Sequence, residues 1–132
     1  MDDATVRKIL DDAETIAVVG LSPKPERDSH EVAEYLQEAG YRIIPVNPKA
    51  DEILGEKAYT DLVSIPERID VVDIFRKSEH VPPIVEEAIE AGAKTVWMQL
   101  GVVNEDAARK AADAGLDVVM DRCMLREHKR LC

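Results

Sequence analysis

Three times along this chain a helical pattern stops at an Ala-Gly pair, and a β-branched run begins within two or three residues. The pairs lie in Glu38-Ala39-Gly40, Glu90-Ala91-Gly92 and Asp113-Ala114-Gly115. Glycine reaches the left-handed conformation that closes a helix without a Cβ clash, so each pair predicts a helix stop. The loop that follows has the length usual for compact α-to-β connections. A chain that alternates strand and helix in this way folds as a parallel sheet covered on both faces. The spacing of the three stops is irregular, so they report shared geometry rather than a solenoid repeat.

The apolar runs predict five strands: 15–20, 42–46, 70–75, 95–99 and 117–120. Each is short and apolar on both faces, which suits burial between two helical layers. Helix starts are also legible. Asp28-Ser29-His30-Glu31 offers a capping pattern, with Val32, Leu36 and Ala39 on one face. Ser78 precedes Val81-Pro82-Pro83, where proline is tolerated in a first turn. Asn104 opens a helix with Glu105 and Asp106 at its positive end. Val6, Ile9, Leu10 and Ala13 predict a further amphipathic helix near the start, and 124–131 another at the end. Between 49 and 68 the pattern is weaker, with an edge strand expected near 57–59 and a turn of helix near 62–64. The expected fold is therefore α/β: a Rossmann-like three-layer sandwich with an open, mainly parallel five-stranded sheet, a short edge strand, and helices on both faces.

With 132 residues, 45% of them hydrophobic, the chain suits one domain over 1–132 with a real core. A net charge of −10 opposes non-specific binding to nucleic acid, since the long-range field repels phosphate backbones. A small anion is not excluded, because salt screens charges beyond about 10 Å and a local group of cations can prevail. No apolar run approaches the roughly 18 residues of a membrane span, and the acidic Met1-Asp2-Asp3 start is unlike a signal peptide. A cytoplasmic protein without membrane or nucleic-acid partners is expected; homo-oligomerisation and any protein partner stay open. Two cysteines and three separated histidines form neither a disulfide framework nor a metal-ligand spacing, so no metal is expected.

Ligands of open parallel sheets bind outside the carboxyl ends of the strands, where the strand order reverses. The residues after each strand are therefore the candidates. After the first come Gly20, Ser22, Pro23, Lys24, Arg27 and Ser29: a glycine that allows close backbone approach, two hydroxyls and two cations, feeding a helix start suited to anions. The plainer reading is a solvated loop with an ordinary serine cap. After the second come Pro45, Asn47, Pro48 and Lys49, prolines that would stiffen a wall beside an adenine and a lysine for a ribose phosphate; a stiffened turn with an exposed lysine is the alternative. After the third, Phe75 would pack on a ligand, Arg76 would fork onto a phosphate, and Ser78 leads into the next helix. Arg76 could instead pair with Asp73. After the fourth, Gln99 and Gly101 leave backbone accessible, while Trp97 reads as core. After the fifth, Cys123 falls on the ligand side, either as a small buried apolar residue or as a reactive thiol. No Ser-His-Asp, G-x-S-x-G or G-x-G-x-x-G pattern is present, and no catalytic residue is assigned.

Gly20-Leu21-Ser22-Pro23, Pro45-Val46-Asn47-Pro48-Lys49, Asp73-Ile74-Phe75-Arg76, Trp97-Met98-Gln99-Leu100-Gly101 and Asp121-Arg122-Cys123-Met124 together resemble the stand-alone CoA-binding domain family. That family is similar in fold to the CoA-binding domain of the succinyl-CoA synthetase α subunit, and the resemblance covers nearly the whole chain. It implies coenzyme A or an acyl-CoA as ligand, with the diphosphate over 20–29, the adenosine near 45–49, and Arg76 and Ser78 assisting with phosphate. It also implies a binding module, acting as carrier, sensor or regulatory subunit, rather than an enzyme, because the synthetase's phosphorylated-histidine and nucleotide-grasping domains are absent. An NADP-dependent oxidoreductase is the competing expectation, since Lys49 suits a ribose 2′-phosphate. A third is a redox role in which Cys123 forms a mixed disulfide with the CoA thiol.

Overall fold

The computed structural model describes residues 1–132. Five strands form one wholly parallel sheet: β1 (Thr15–Val19), β2 (Arg42–Val46), β5 (Val71–Ile74), β6 (Thr95–Met98) and β7 (Asp117–Val119), in the order β2-β1-β5-β6-β7. A separate hairpin joins β3 (Glu52–Ile53) to β4 (Glu56–Lys57). Helices α1 (Asp3–Asp12), α2 (Asp28–Glu38) and α5 (Met124–Leu131) pack on one face, where Leu10, Leu36, Trp97 and Met124 lie buried. Helices α3 (Val81–Glu90) and α4 (Glu105–Asp113) cover the other, over Val72, Ile74, Val96 and Met98. Successive residues of a strand point to opposite faces, so two cores explain why these short runs are apolar throughout.

Gly40, Gly92 and Gly115 have φ of 107°, 75° and 90°, the left-handed stops expected of them. Asn104 caps α4 by accepting the Ala107 N–H at 3.0 Å. At the amino-terminal end of the sheet, Asp70 Oδ2 accepts the N–H groups of Glu14 and Thr15 at 2.9 and 3.0 Å, joining the entries to β1 and β5.

Two expectations change. Strands 15–20, 70–75, 95–99 and 117–120 are each shorter by one or two residues: Gly20, Phe75, Gln99 and Met120 drop out at the carboxyl ends, and Asp70 at the amino end of its strand. The edge strand near 57–59 becomes the β3–β4 hairpin, turned at Leu54 and Gly55 with φ of 55° and 76°, plus one parallel bridge between Val46 and Tyr59. At 62–64 the expected turn of helix is a single isolated turn, closed by the Ile65 N–H donating to the Leu62 carbonyl at 3.2 Å. Asp61 Oδ1 accepts the Ser64 N–H at 2.9 Å, and the residue before Pro66 is biased away from helix.

Candidate functional site

The chain leaves β1 through α2 on one face and leaves β5 through α3 on the other. The sheet therefore has its switch point between β1 and β5, and a crevice opens at their carboxyl ends. Gly20 and Arg76 meet there. Gly20 has φ of 86°, and a Cβ built on it would stand 2.3 Å from the Phe75 carbonyl oxygen and 3.1 Å from Arg76 Cδ. Only glycine satisfies both the dihedral and the backbone approach.

Two hollows flank this contact, and Arg76 lines both. The one on the α3 side, about 380 Å³, includes Gly20, Asn47, Pro48, Lys49 and Thr60. The one on the α2 and α5 side, about 560 Å³, includes Phe75, Gln99, Gly101, Val102, Cys123 and Arg126. Val32, Leu100 and Leu125 give this second hollow an apolar stretch, beside the charged side chains Asp28, Glu31, Lys77 and Arg126.

The expected site residues divide accordingly. Nine are brought to the hollows: Gly20, Asn47, Pro48, Lys49, Phe75, Arg76, Gln99, Gly101 and Cys123. Ser22, Pro23, Lys24 and Arg27 lie on the loop between β1 and α2, outside both. Ser29 is buried inside α2 and does not cap it; its hydroxyl accepts the Ser22 N–H at 3.0 Å and shapes that loop. Pro45 lies within edge strand β2, where its missing N–H is tolerated. Ser78 ties loops together, its Oγ accepting from Val103 N–H and its carbonyl from Asn104 Nδ2. Asn47 also serves the scaffold: Nδ2 donates to the Leu21 carbonyl at 2.9 Å and Oδ1 accepts the Lys49 N–H at 2.8 Å.

Arg76 has no ion pair with Asp73. Asp73 is fully buried and instead accepts Gln99 Nε2 at 2.5 Å. Burial without a charged partner pushes its carboxyl up to about 7, the Gln99 hydrogen bond only partly opposing this. Sequence reasoning passed over Lys77, Arg126 and Thr60, which also line the hollows. Arg126 was findable, one helical turn beyond Cys123 on α5. Thr60 follows an irregular segment with no periodic signal.

The charges are sorted in space. Of the 17 lysines and arginines, nine lie within 4.0 Å of a carboxylate oxygen, while Lys57 and Lys129 stand over tyrosine rings. The remainder are Lys24, Arg27, Lys49, Arg76, Lys77 and Arg126. All follow the carboxyl ends of strands or occupy the first turn of α5. Asp28 and Glu31 share the larger hollow but come within pairing distance of none of them. A molecule of charge −10 thus keeps its uncommitted cations at one rim, an arrangement suited to an anionic ligand.

A family model described as a CoA binding domain matches residues 14–129. The chain belongs to that CoA-binding domain family. This CoA-binding domain is 46% identical over 125 residues to "Uncharacterized protein YneT" of Bacillus subtilis, covering 95% of the chain and 93% of the relative. It superposes with a TM-score of 0.96 on a hypothetical protein from Pyrococcus horikoshii OT3, at 50% identity, covering 99% of this chain and 92% of the other. It is 28% identical over 119 residues to Acetate–CoA ligase (ADP-forming) I of Archaeoglobus fulgidus, covering 83% of the chain but 17% of the ligase. The CoA-binding domain therefore spans less than a fifth of that enzyme. The family match supports a CoA-type small-molecule ligand and does not favour the NADP alternative.

Proposed function

We propose that this CoA-binding domain holds coenzyme A or an acyl-CoA across the β1/β5 crevice and does no chemistry of its own, acting as carrier, sensor or regulatory module. The observation that carries this reading is the placement of Arg76. It stands against Gly20 at the switch point and borders both hollows, one with Asn47 and Lys49 and the other with Gln99 and Cys123. Coenzyme A has the matching order of parts: a phosphorylated adenosine, a diphosphate, and an arm ending in a thiol. The diphosphate would lie over Gly20 and Arg76, where backbone can approach and a guanidinium can fork onto oxygen. The adenosine would occupy the Asn47–Lys49 side, and the arm would run toward Cys123. The residues present fit the ligand.

Parallel calorimetric titrations of ligand-stripped protein with CoA, NADP and NAD test the reading. Selective CoA binding is expected. Tighter binding of NADP, or hydride transfer from NADPH, would overturn it. Turnover of acetyl-CoA with ADP and phosphate by the chain alone would overturn the non-catalytic part.

A further inference from the structure

Asp73 Oδ2 is the buried side-chain oxygen of this molecule left without any hydrogen-bond partner. Such groups are uncommon, and the cost of leaving one unpaired is about 1–3 kcal/mol. Asp73 sits in the middle of β5, between Val18 of β1 and Trp97 of β6. Its other oxygen accepts from Gln99, the first residue beyond β6. Gln99 is almost wholly buried yet lines the larger hollow. Asp73 Oδ1 accepts from Gln99 Nε2, so the amide turns its NH2 inward to Asp73. That orientation leaves Gln99 Oε1 without a protein partner, and unlike Asp73 Oδ2 it is not sealed from solvent. The floor of the hollow therefore presents one oriented acceptor, beside the apolar side chains of Val32, Leu100 and Leu125.

We propose that Gln99 is a specificity contact for the arm of the ligand: its Oε1, held in place by Asp73, accepts a hydrogen bond from an amide N–H of an extended, amide-bearing chain lying between Arg76 and Cys123. Asp73 is a positioning residue, acting through Gln99. The inference rests on the CoA reading above and adds to it a residue that distinguishes the arm from the nucleotide head. A flexible chain with isolated amides suits this hollow, because the apolar side chains Val32, Leu100 and Leu125 flank it and Gln99 Oε1 supplies the fixed partner that a buried amide N–H needs.

The test compares CoA with adenosine 3′-phosphate 5′-diphosphate, which keeps the phosphates and lacks the arm. Calorimetry on the Asp73→Val/Gln99→Leu double variant removes both polar partners together, which spares the fold an unpaired buried acid. CoA affinity is expected to fall about 3- to 10-fold, the span of one neutral hydrogen bond, with affinity for the armless ligand unchanged. Asp73→Val alone should lower the CoA-to-armless ratio nearly as far, and Asp73→Asn, which still accepts from Gln99, should restore it. Equal weakening of both ligands, unchanged CoA affinity, or a ratio insensitive to Asp73 would overturn the inference. Wild-type protein that binds the armless ligand as tightly as CoA would overturn the arm contact and leave the nucleotide site standing. Wild-type protein that binds neither ligand would overturn the functional reading and this inference with it.

Discussion

Gly20, Arg76 and Asp73 show how differently single residues bear on the site. Gly20→Ala puts a methyl group against a backbone oxygen at a φ of 86°. It should destabilise the fold by about 2 kcal/mol or more, read as a lower urea midpoint, because neither the dihedral nor the Phe75 carbonyl can yield cheaply. Wild-type stability in that variant would remove the close approach from the account. Arg76→Ala touches no ion pair and should leave stability intact while weakening CoA binding by about 1.5–3 kcal/mol, the range for a charge-assisted contact. An unchanged dissociation constant in calorimetry would take Arg76 out of the site. Asp73 acts through protonation. Burial raises its folded-state pKa from 3.8 to about 7, so the folded chain keeps a proton that the unfolded chain has released. Below pH 4 this has no effect on stability; the penalty grows as pH rises toward 7 and is complete above it. Asp73→Asn should therefore stabilise the protein increasingly between pH 4 and 7, reaching a plateau of up to about 4 kcal/mol. A gain equal at pH 4 and pH 8 in denaturation experiments would exclude this cause. Position after a strand made Gln99 and Cys123 legible in the sequence. Asp73 was visible only as a partner for Arg76, because Gln99 lies 26 residues away and no spacing rule links them.

At the scale of elements, the ends of helices were more legible than their beginnings. A glycine stop needs one residue in one conformation, and all three glycines adopt it. A start depends on what competes for the capping side chain. Ser29 looked like part of a cap for α2, but its hydroxyl is engaged by Ser22 across the preceding loop, and α2 begins without a side-chain cap. The β3–β4 hairpin escaped notice because its strands are two residues long, too short for alternation to register. Asn104 is the instructive success: it caps α4 through Ala107 and also donates to the Ser78 carbonyl, fastening the loop after β6 to the one after β5. Asn104→Ala should lower stability by about 1–2 kcal/mol. Thermal unfolding would show this as a fall of several degrees. A melting temperature equal to wild type would mean that the two bonds are replaced by solvent.

For the molecule as a whole, the parallel sheet and its two helical layers followed from alternation and burial, whereas the division of charge did not. Composition shows a net charge of −10; the sorting of partnered from unpartnered cations needs coordinates. That sorting makes an unusual kinetic expectation. In about 10 mM salt the screening length is roughly 30 Å, so an incoming polyanion meets the field of the entire acidic surface. In about 100 mM salt it is roughly 10 Å, and the rim cations govern the approach. Association of CoA, followed by stopped-flow with a fluorescent derivative, should therefore quicken over that range before slowing at higher salt. A rate that falls steadily from the lowest salt would show that the rim outweighs the rest of the surface at every distance. The same sheet separates two kinds of contact along its length. Asp70 gathers the strand entries at one end, while Gly20 and Arg76 face the crevice at the other, about 16 Å away along the strands. Over such a distance the free-energy effects of substitutions add rather than interact. A lineage altering its rim at Arg76 would leave the contribution of the Asp70 anchor intact, whereas a change at Gly20 would draw on the folding margin directly.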